Sequence, residues 1–223
     1  RIAVMTDHPL SEVDASITGK LRELASFLRR EGAKVSMTAR PDFDLAEGHR
    51  LFITLLRATT SARTDAEQMQ RWRNEAARLP QDDSSYYALM AGGISMTHRD
   101  FLIGNETRHR MRRAWAAFFL DWDAFLCPVA ATQAVPHDHA GERWERSISV
   151  NGHDVPVTDQ MFWAGISGFY LLPATAAPLG FSPAGLPIGV QIVGPQYGDR
   201  TTMQLARLLE KGWQKFVPPP GWE

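Results

Sequence analysis

The sequence has 223 residues, of which 44% are hydrophobic and 22% are charged, a composition typical of globular proteins. Its formal net charge of −1 gives no basic surface of the kind that binds nucleic acid or an anionic membrane. A single cysteine excludes an internal disulfide framework, and no run approaches the roughly 20 apolar residues of a membrane span. Because no secretory signal is recognisable either, we expect a cytoplasmic protein without nucleic-acid or membrane partners.

The chain starts at Arg1, directly before an apolar run that reads as a β-strand. A strand at the very first residues suggests a piece of a longer protein, and we expect Arg1 to mark a cut point. A processed methionine or a trimmed terminal segment would explain the same start, and this alternative stays open.

Residues 1–42 have the pattern of a βαβ unit. A short apolar run at residues 2–5 and a second one at residues 35–37 flank a helix whose apolar positions recur at helical spacing. Ser11 and Asp14 have the spacing of a capping box, which predicts that Ser11 begins the helix. The two strands are expected to be parallel, and ligands bind near the carboxyl ends of such strands, so residues 6–9 are candidates to line a site.

Residues 43–120 read as mostly helical, with breaks near Ser61 and Pro80. The pair Gly92-Gly93 superficially resembles a frame for a nucleophilic Ser95, but a close contact between helices explains the two glycines better. From residue 121 onward the pattern changes to strands, a hairpin and a terminal helix. The predicted elements there are strands at 124–128, 172–179 and 186–193, a hairpin turning at Asn151-Gly152, a short helix at 159–168, and a helix at 201–213 with Leu205, Leu208, Leu209 and Trp213 on one side.

Isolated candidates for chemistry are weak in this sequence. His137 and His139, with His153 nearby, have a loose metal-ligand pattern, but the motif is short and we expect no metal. Cys127 lies among apolar neighbours, which favours an inert buried thiol over a nucleophile. A lysine base must be desolvated to act near neutral pH, and none of the four lysines has an apolar setting.

Three stretches in the last part of the chain resemble the amidase signature family in order and spacing. Residues 122–128 resemble its Asp-hydrophobic-Pro strand, residues 167–178 its Leu-Pro-Ala segment, and residues 185–195 its Gly-Leu-Pro-x-Gly-x-Gln run. The resemblance implies an α/β fold, with a mixed sheet flanked by helices and a helical insertion at about 43–120. Residues 1–223 would then form the carboxyl-terminal part of an amidase domain.

The same resemblance implies a reaction but no catalytic residue in this chain. Enzymes of the family hydrolyse amides with a Lys–cis-Ser–Ser triad, whose nucleophile lies in a Gly/Ser-rich segment that is not found here. We therefore expect a parent amide hydrolase without cofactor or metal, to which this piece contributes scaffold and part of the pocket. The alternative is a non-catalytic amidase-like module for binding or for association between subunits.

The resemblance also suggests where substrate would be contacted. The helix before the Leu-Pro-Ala segment faces substrate in the family, which points to Asp159, Phe162 and Trp163, with Cys127 at a strand end as a further pocket residue. An acid at Asp159 would hold a substrate amine, although a helix N-cap and two packed aromatic rings would explain the same residues. Gln191 is assigned to the framework. The expected partners are a small amide substrate and the missing amino-terminal half, and a homodimer stays open.

Overall fold

The computed structural model describes residues 1–222, and its residues separate into two compact units. The first unit comprises Arg1–Pro41 and the chain from Trp115 onward, and the second comprises Asp42–Ala114. Among the described residues, no helix combines the length and apolar character needed to cross a bilayer. The helices are α1 (Ala15–Arg30), α2 (Leu45–Thr60), α3 (Ala66–Arg78), α4 (Tyr86–Ile94), α5 (His98–Asp121), α6 (Met161–Gly168) and α7 (Asp199–Gly212), with 3-10 turns at Ser61–Arg63, Arg143–Glu145 and Val157–Gln160.

A mixed five-stranded sheet forms the centre of the first unit, which confirms the predicted fold class. Its strand order is β2-β1-β3-β7-β6, and a separate hairpin pairs β4 with β5. The predicted parallel pairing of β1 with β2 is present, β1 is also parallel to β3, and the remaining neighbours are antiparallel. The strands are β1 (Ile2–Val4), β2 (Val35–Ser36), β3 (Ala124–Pro128), β4 (Ser147–Val150), β5 (His153–Pro156), β6 (Ala174–Phe181) and β7 (Pro187–Val193).

Helix α1 buries the apolar stripe that its sequence predicts, but its start was predicted wrongly. The carboxylate of Asp14 accepts a hydrogen bond from the backbone N–H of Ser16, so Asp14 is the N-cap. Ser11 lies three residues earlier and forms a bridge with His8 instead. Asp is among the best N-cap residues and needs no partner further along the helix, which explains why the simple cap replaces the predicted capping box.

An aromatic cluster around Trp115 fills the core beside β3. The Trp115 side chain is fully buried, and its ring centroid lies 5.4 Å from that of Phe118 and 5.5 Å from that of Phe119. Phe125 of β3 meets the same indole edge to face at 5.2 Å. Rings of this size each bury about 150–250 Å², so this cluster fixes the last turns of α5 against the sheet.

The hairpin β4–β5 has the turn that the Asn-Gly pair predicts. Asn151 and Gly152 both have positive φ, 50° and 88°, as the right-handed twist of a two-residue hairpin requires. The turn also anchors the hairpin, because the Asn151 amide donates to the Glu12 carboxylate (2.7 Å) and accepts from the backbone N–H of Ala15 (2.8 Å). His153 contacts the other oxygen of Glu12 at 2.8 Å.

Helix α7 presents a different face to the sheet than its sequence predicted. Leu209 is buried, whereas Leu208 is 54% exposed, so the prediction that both lie on the buried side is wrong. Thr202 is buried as well, and its hydroxyl contacts that of Thr175 in β6 at 2.8 Å. Consecutive helical residues are rotated by about 100°, so a face that contains Thr202 and Leu209 excludes Leu208.

The second unit is helical, and the predicted breaks lie at the 3-10 turn Ser61–Arg63 and after Leu79. Gly93 of α4 faces the backbone of α2, where a methyl group would meet the Thr54 carbonyl oxygen and the Arg57 Cβ. The predicted close helix contact is thus present at Gly93, whereas for Gly92 the prediction is wrong, because a methyl group there meets nothing within 4 Å. Ser95 ends α4, and its hydroxyl donates to the backbone carbonyl of Ala91 at 2.8 Å.

The two adjacent glycines of α4 provide a matched test of this contact. Gly93→Ala should lower the free energy of unfolding by about 1–3 kcal/mol, because the added methyl group has no room beside the α2 backbone. Gly92→Ala should be neutral or stabilising by up to about 1 kcal/mol, because a methyl group at Gly92 meets nothing within 4 Å. Urea unfolding monitored by circular dichroism measures both. Equal effects of the two substitutions would refute the close contact.

Candidate functional site

The buried amide of Gln191 connects three elements of the first unit. Its Oε1 accepts a hydrogen bond from the Ser167 hydroxyl of α6 (2.7 Å), and its Nε2 donates to the Trp163 carbonyl (3.1 Å) in the same helix. The same Nε2 also lies 3.4 Å from the Pro128 carbonyl and 3.4 Å from the Cys127 sulfur, both in β3. These contacts join α6 to β3 and β7, as a framework role requires, and that role stays a prediction.

The Cys127 thiol lies at the centre of this arrangement. It is free, fully buried and opposite Gln191 in the antiparallel pair of β3 and β7. Burial raises the pKa of the thiol to about 12, outweighing the hydrogen bond from Gln191 and the charge of Arg40. A thiol with so high a pKa forms almost no thiolate at neutral pH, which is the setting of a structural cysteine. Its proposed contact with substrate stays a prediction.

The turn that leads into α6 carries Asp159 in a half-buried position. Its expected alternative role as an N-cap is wrong, because Gln160 is the residue before α6 and no side chain caps the helix. Asp159 lies instead inside the 3-10 turn Val157–Gln160. Burial raises the pKa of its carboxyl, and no compensating charge or hydrogen bond contributes within the described residues. The turn therefore holds a carboxylate that is short of a partner.

Two buried aromatic rings follow Asp159. Phe162 and Trp163 meet edge to face at 5.0 Å, and both side chains are almost entirely inaccessible. The Trp163 indole N–H is buried without a hydrogen-bond partner in the described part of the chain. Leaving such a donor unpaired costs about 1–3 kcal/mol. Phe162 and Trp163 are thus two packed aromatic rings, as the alternative expected, and the start of α6 combines them with a half-buried carboxyl and an unsatisfied donor.

The loop after β1 meets this wall through His8. The His8 and Phe162 rings stack at a centroid distance of 4.2 Å and an interplanar angle of 19°. His8 Nδ1 accepts a hydrogen bond from the backbone N–H of Leu10, which orients the ring. The structure thereby brings the predicted site segment at residues 6–9 together with the predicted helix residues.

Arg40 is a residue that the sequence pattern did not indicate. Its guanidinium group donates to the carbonyl oxygens of Val4 (3.2 Å), Ala39 (2.7 Å) and Met37 (3.2 Å), and lies 5.7 Å from the Phe125 ring centroid. Burial lowers the pKa of this group from its usual value. Arg40 thus closes the carboxyl end of β1. Its partners are backbone atoms, which leave no pattern in a sequence.

The remaining candidates lie apart from this arrangement. The His137 and His139 rings are 5.9 Å apart, while His153 is engaged with Glu12. Among residues 1–222, no group of three His, Cys, Asp or Glu side chains is placed to hold a metal ion. Lys20 forms a surface ion pair with Glu23 at 2.8 Å. The other lysines, Lys34, Lys211 and Lys215, are exposed.

The sheet order, the Gln191 arrangement and the three motif stretches define an α/β fold of the amidase type. A family model described as Amidase matches residues 1–203, a range that contains all three stretches. The chain belongs to the amidase family.

Comparison with curated proteins gives relatives that include amidotransferase subunits and fatty-acid amide hydrolases. The A-type subunit of glutamyl-tRNA(Gln) amidotransferase from Synechococcus sp. (strain CC9605) is 31% identical over 134 residues, which cover 60% of this chain and 25% of the relative. Human fatty-acid amide hydrolase 2 is 38% identical over 69 residues, which cover 30% of this chain and 13% of the relative. The aligned part is thus a minor share of each relative's own length.

Solved structures share the fold over nearly the whole chain. A bacterial aryl acylamidase of the amidase signature family superposes with a TM-score of 0.68 at 16% identity, covering 98% of this chain and 46% of its own. The corresponding glutamyl-tRNA(Gln) amidotransferase subunit from Thermotoga maritima gives a TM-score of 0.65 at 17% identity, covering 99% and 45%. The chain therefore spans less than half the length of these relatives.

The Gln191 arrangement predicts a large stability loss on truncation. Gln191→Ala should lower the free energy of unfolding by about 2–4 kcal/mol, because it opens a cavity and leaves the Ser167 hydroxyl and the Trp163 carbonyl unpaired. Gln204→Ala on the exposed side of α7 is the control and should stay within about 0.5 kcal/mol of the parent chain. Chemical denaturation gives both values. A loss at position 191 no larger than that of the control would contradict the framework role.

Proposed function

We propose that this chain is the carboxyl-terminal part of an amide hydrolase of the amidase family, and that it contributes scaffold and one wall of the substrate pocket. The observation that carries the proposal is a family match over residues 1–203 in a chain that spans less than half of its relatives. The serine nucleophile, its lysine and the oxyanion donors would lie in the remaining part of the enzyme. The solvated setting of the four lysines supports this division.

Asp159 is the proposed binding group of this wall. Burial disfavours its charged form, and a cationic amine within about 4–6 Å would restore that form by direct attraction. Phe162 and Trp163 are the other proposed pocket residues, and because both are almost inaccessible in this chain they would back the Asp159 turn rather than touch the amine. Cys127 would support the wall from behind through Gln191. The substrate expected from these groups is a small amide that carries an amine.

A non-catalytic module for association between subunits is the second candidate. It draws support from relatives that are named as a subunit of an amidotransferase. Such a module would fold as a stable species without the remaining part of the family fold, and its reading frame would begin at this segment. The two candidates therefore differ in the reading frame and in activity.

Amide hydrolysis separates the candidates. The 223-residue chain should hydrolyse neither anilides nor aliphatic amides above the uncatalysed rate, because none of its four lysines, all within the described residues, is desolvated beside a nucleophile. The protein from the complete reading frame should accelerate the same reaction by about 10⁶-fold or more. Product release measured by chromatography provides the readout. Turnover by the 223-residue chain would contradict the proposal. Absence of turnover by the complete protein would contradict it as well.

The raised pKa of Asp159 predicts that removal of its charge increases stability at neutral pH but not at low pH. Because the folded state raises its pKa, the contribution of this group to stability is present at low pH and lost as pH rises through the folded pKa. Asp159→Asn should therefore be more stable than the parent chain at about pH 7, and the difference should vanish near pH 3, below the ordinary pKa of an aspartate. Asp154→Asn, at an exposed position on β5, is the control and should show no such trend. Chemical denaturation at the two pH values measures the difference.

The same variant tests the binding role in the complete protein. Asp159→Asn should raise KM for amine-bearing amides by about tenfold or more, equivalent to about 1.4 kcal/mol, and leave KM for neutral amides unchanged. Equal changes for both substrates would point to a structural role alone. If Asp159→Asn is less stable than its parent at neutral pH, the inference that the Asp159 carboxylate lacks a partner is wrong.

A further inference from the structure

The loop between β1 and α1 contacts the chain on both sides of Asp159. In its first part, the His8 ring stacks on Phe162 of α6, the helix that follows the Asp159 turn. In its last part, Glu12 contacts the hairpin whose second strand, β5, leads into that turn. Both contacts belong to one short segment that ends at Asp14, the N-cap of α1. A single loop therefore relates the positions of the two elements that flank the Asp159 turn.

Hydrogen bonds on both sides of the hairpin turn join it to this loop. The Asn151 amide nitrogen donates to the Glu12 carboxylate at 2.7 Å and to the Val13 carbonyl at 3.3 Å. Its amide oxygen accepts from the backbone N–H of Ala15 at 2.8 Å. The second Glu12 oxygen lies 2.8 Å from His153 Nε2, in β5. The hydrogen bond from Asn151, together with the charge of His153, lowers the pKa of Glu12, so one carboxylate holds both sides of the turn.

Strand β5 depends on these contacts more than β4 does. Ile148 and Val150 anchor β4 in the core, whereas every residue of β5 is exposed or half-buried. Within residues 1–222, the hairpin is a separate two-stranded sheet, and such a hairpin is only marginally stable by itself. An isolated exposed ion pair contributes little to stability. The Glu12 carboxylate does more than that here, because it anchors a strand that has little burial of its own.

The Asp159 turn continues β5 directly. The strand ends at Pro156, and the 3-10 turn begins at Val157. The backbone N–H of Val157 donates to the Arg146 carbonyl at 3.0 Å, which extends the pairing of the two hairpin strands by one step beyond β5. Because the turn is both covalently continuous with β5 and paired like it, a shift of β5 would move the Asp159 carboxyl.

We propose that Glu12 is a positioning residue for the candidate pocket: by holding Asn151 and His153 it fixes β5, and with β5 the turn that presents the Asp159 carboxyl to a substrate amine. The proposal rests on the proposed function, because it takes Asp159 as the group that binds the amine. Glu12 acts through the hairpin and does not touch the substrate. Preference for amine-bearing amides would therefore depend on a contact at the surface of the molecule, outside the pocket wall.

Hydrogen–deuterium exchange tests the positioning without any substrate. In the 223-residue chain, Glu12→Ala should speed exchange of residues 153–160, which contain β5 and the Asp159 turn, by about tenfold. Glu23→Ala is the matched control and should leave this segment unchanged, because the exposed Glu23 carboxylate pairs with Lys20 within α1. Unchanged exchange of the segment in Glu12→Ala would overturn the proposal. Equal acceleration along the whole chain would overturn it as well, since that pattern indicates only a loss of global stability.

Substrate preference in the protein from the complete reading frame tests the effect on the pocket. Glu12→Ala should raise KM for amine-bearing amides by about fivefold or more, and it should leave kcat and KM for neutral amides unchanged. In the Asp159→Asn background, the same substitution should change neither KM, because its effect passes through the Asp159 carboxyl. An increase in KM that persists in that background would overturn the proposal, and so would equal increases for both substrates.

The single variants separate this proposal from the proposed function. If Asp159→Asn raises KM for amine-bearing amides but Glu12→Ala does not, the positioning role is wrong and the proposed function stands. If Asp159→Asn leaves that KM unchanged, the binding role of Asp159 is wrong, and the positioning role of Glu12 is wrong with it. Increases in both variants that do not add in the double variant support both proposals.

Discussion

The side-chain amide of Gln191 is the constraint on which the first unit depends. One planar group connects α6 to β3 and β7, and it provides partners for a buried hydroxyl and a buried carbonyl at the same time. Neutral hydrogen bonds contribute only about 0.5–1.5 kcal/mol each, but leaving their partners unpaired in the core costs more. Gln191 therefore stabilises the first unit mainly by preventing unpaired polar groups in the core. The hydrogen bonds that it adds contribute less.

The position of α6 determines where the residues of the candidate wall, Asp159, Phe162 and Trp163, lie. The helix is short and has no side-chain cap, so its own residues contribute little to its stability. Packing from below by Gln191 and from the side by the His8 ring fixes it instead. With the helix held in this way, the turn before it can retain a half-buried Asp159 despite the unfavourable desolvation of its carboxyl.

Local patterns predicted most elements of the fold but not the contacts that organise it. The hairpin at Asn151-Gly152 and the buried strand Ala124–Pro128 were predictable because turn chemistry and apolar runs act over a few residues. The start of α1 was missed because Ser11 and Asp14, three residues apart, are both good N-cap residues, and Leu208 because one residue of rotation changes a helix face. The candidate site was predictable in part, since the family resemblance pointed to the start of α6 and the βαβ pattern to residues 6–9, but neither indicated that His8 stacks on Phe162. Gln191 reaches partners 24 and 63 residues away, so only a polar residue in an apolar strand indicated that a buried partner was needed.

The parallel pairing of β1 with β3 has a consequence for synthesis on the ribosome. Ile2 is opposite Ala124, so β1 emerges long before the strand that will lie beside it. At about 5–20 residues per second, a delay of roughly 120 residues corresponds to about 6–24 seconds. Helices with local contacts can form during this interval. The apolar strand β1 stays unpaired with β3 until β3 has been synthesised. Translation speed across α2–α5 would therefore influence how much of the chain reaches the native sheet rather than an aggregate.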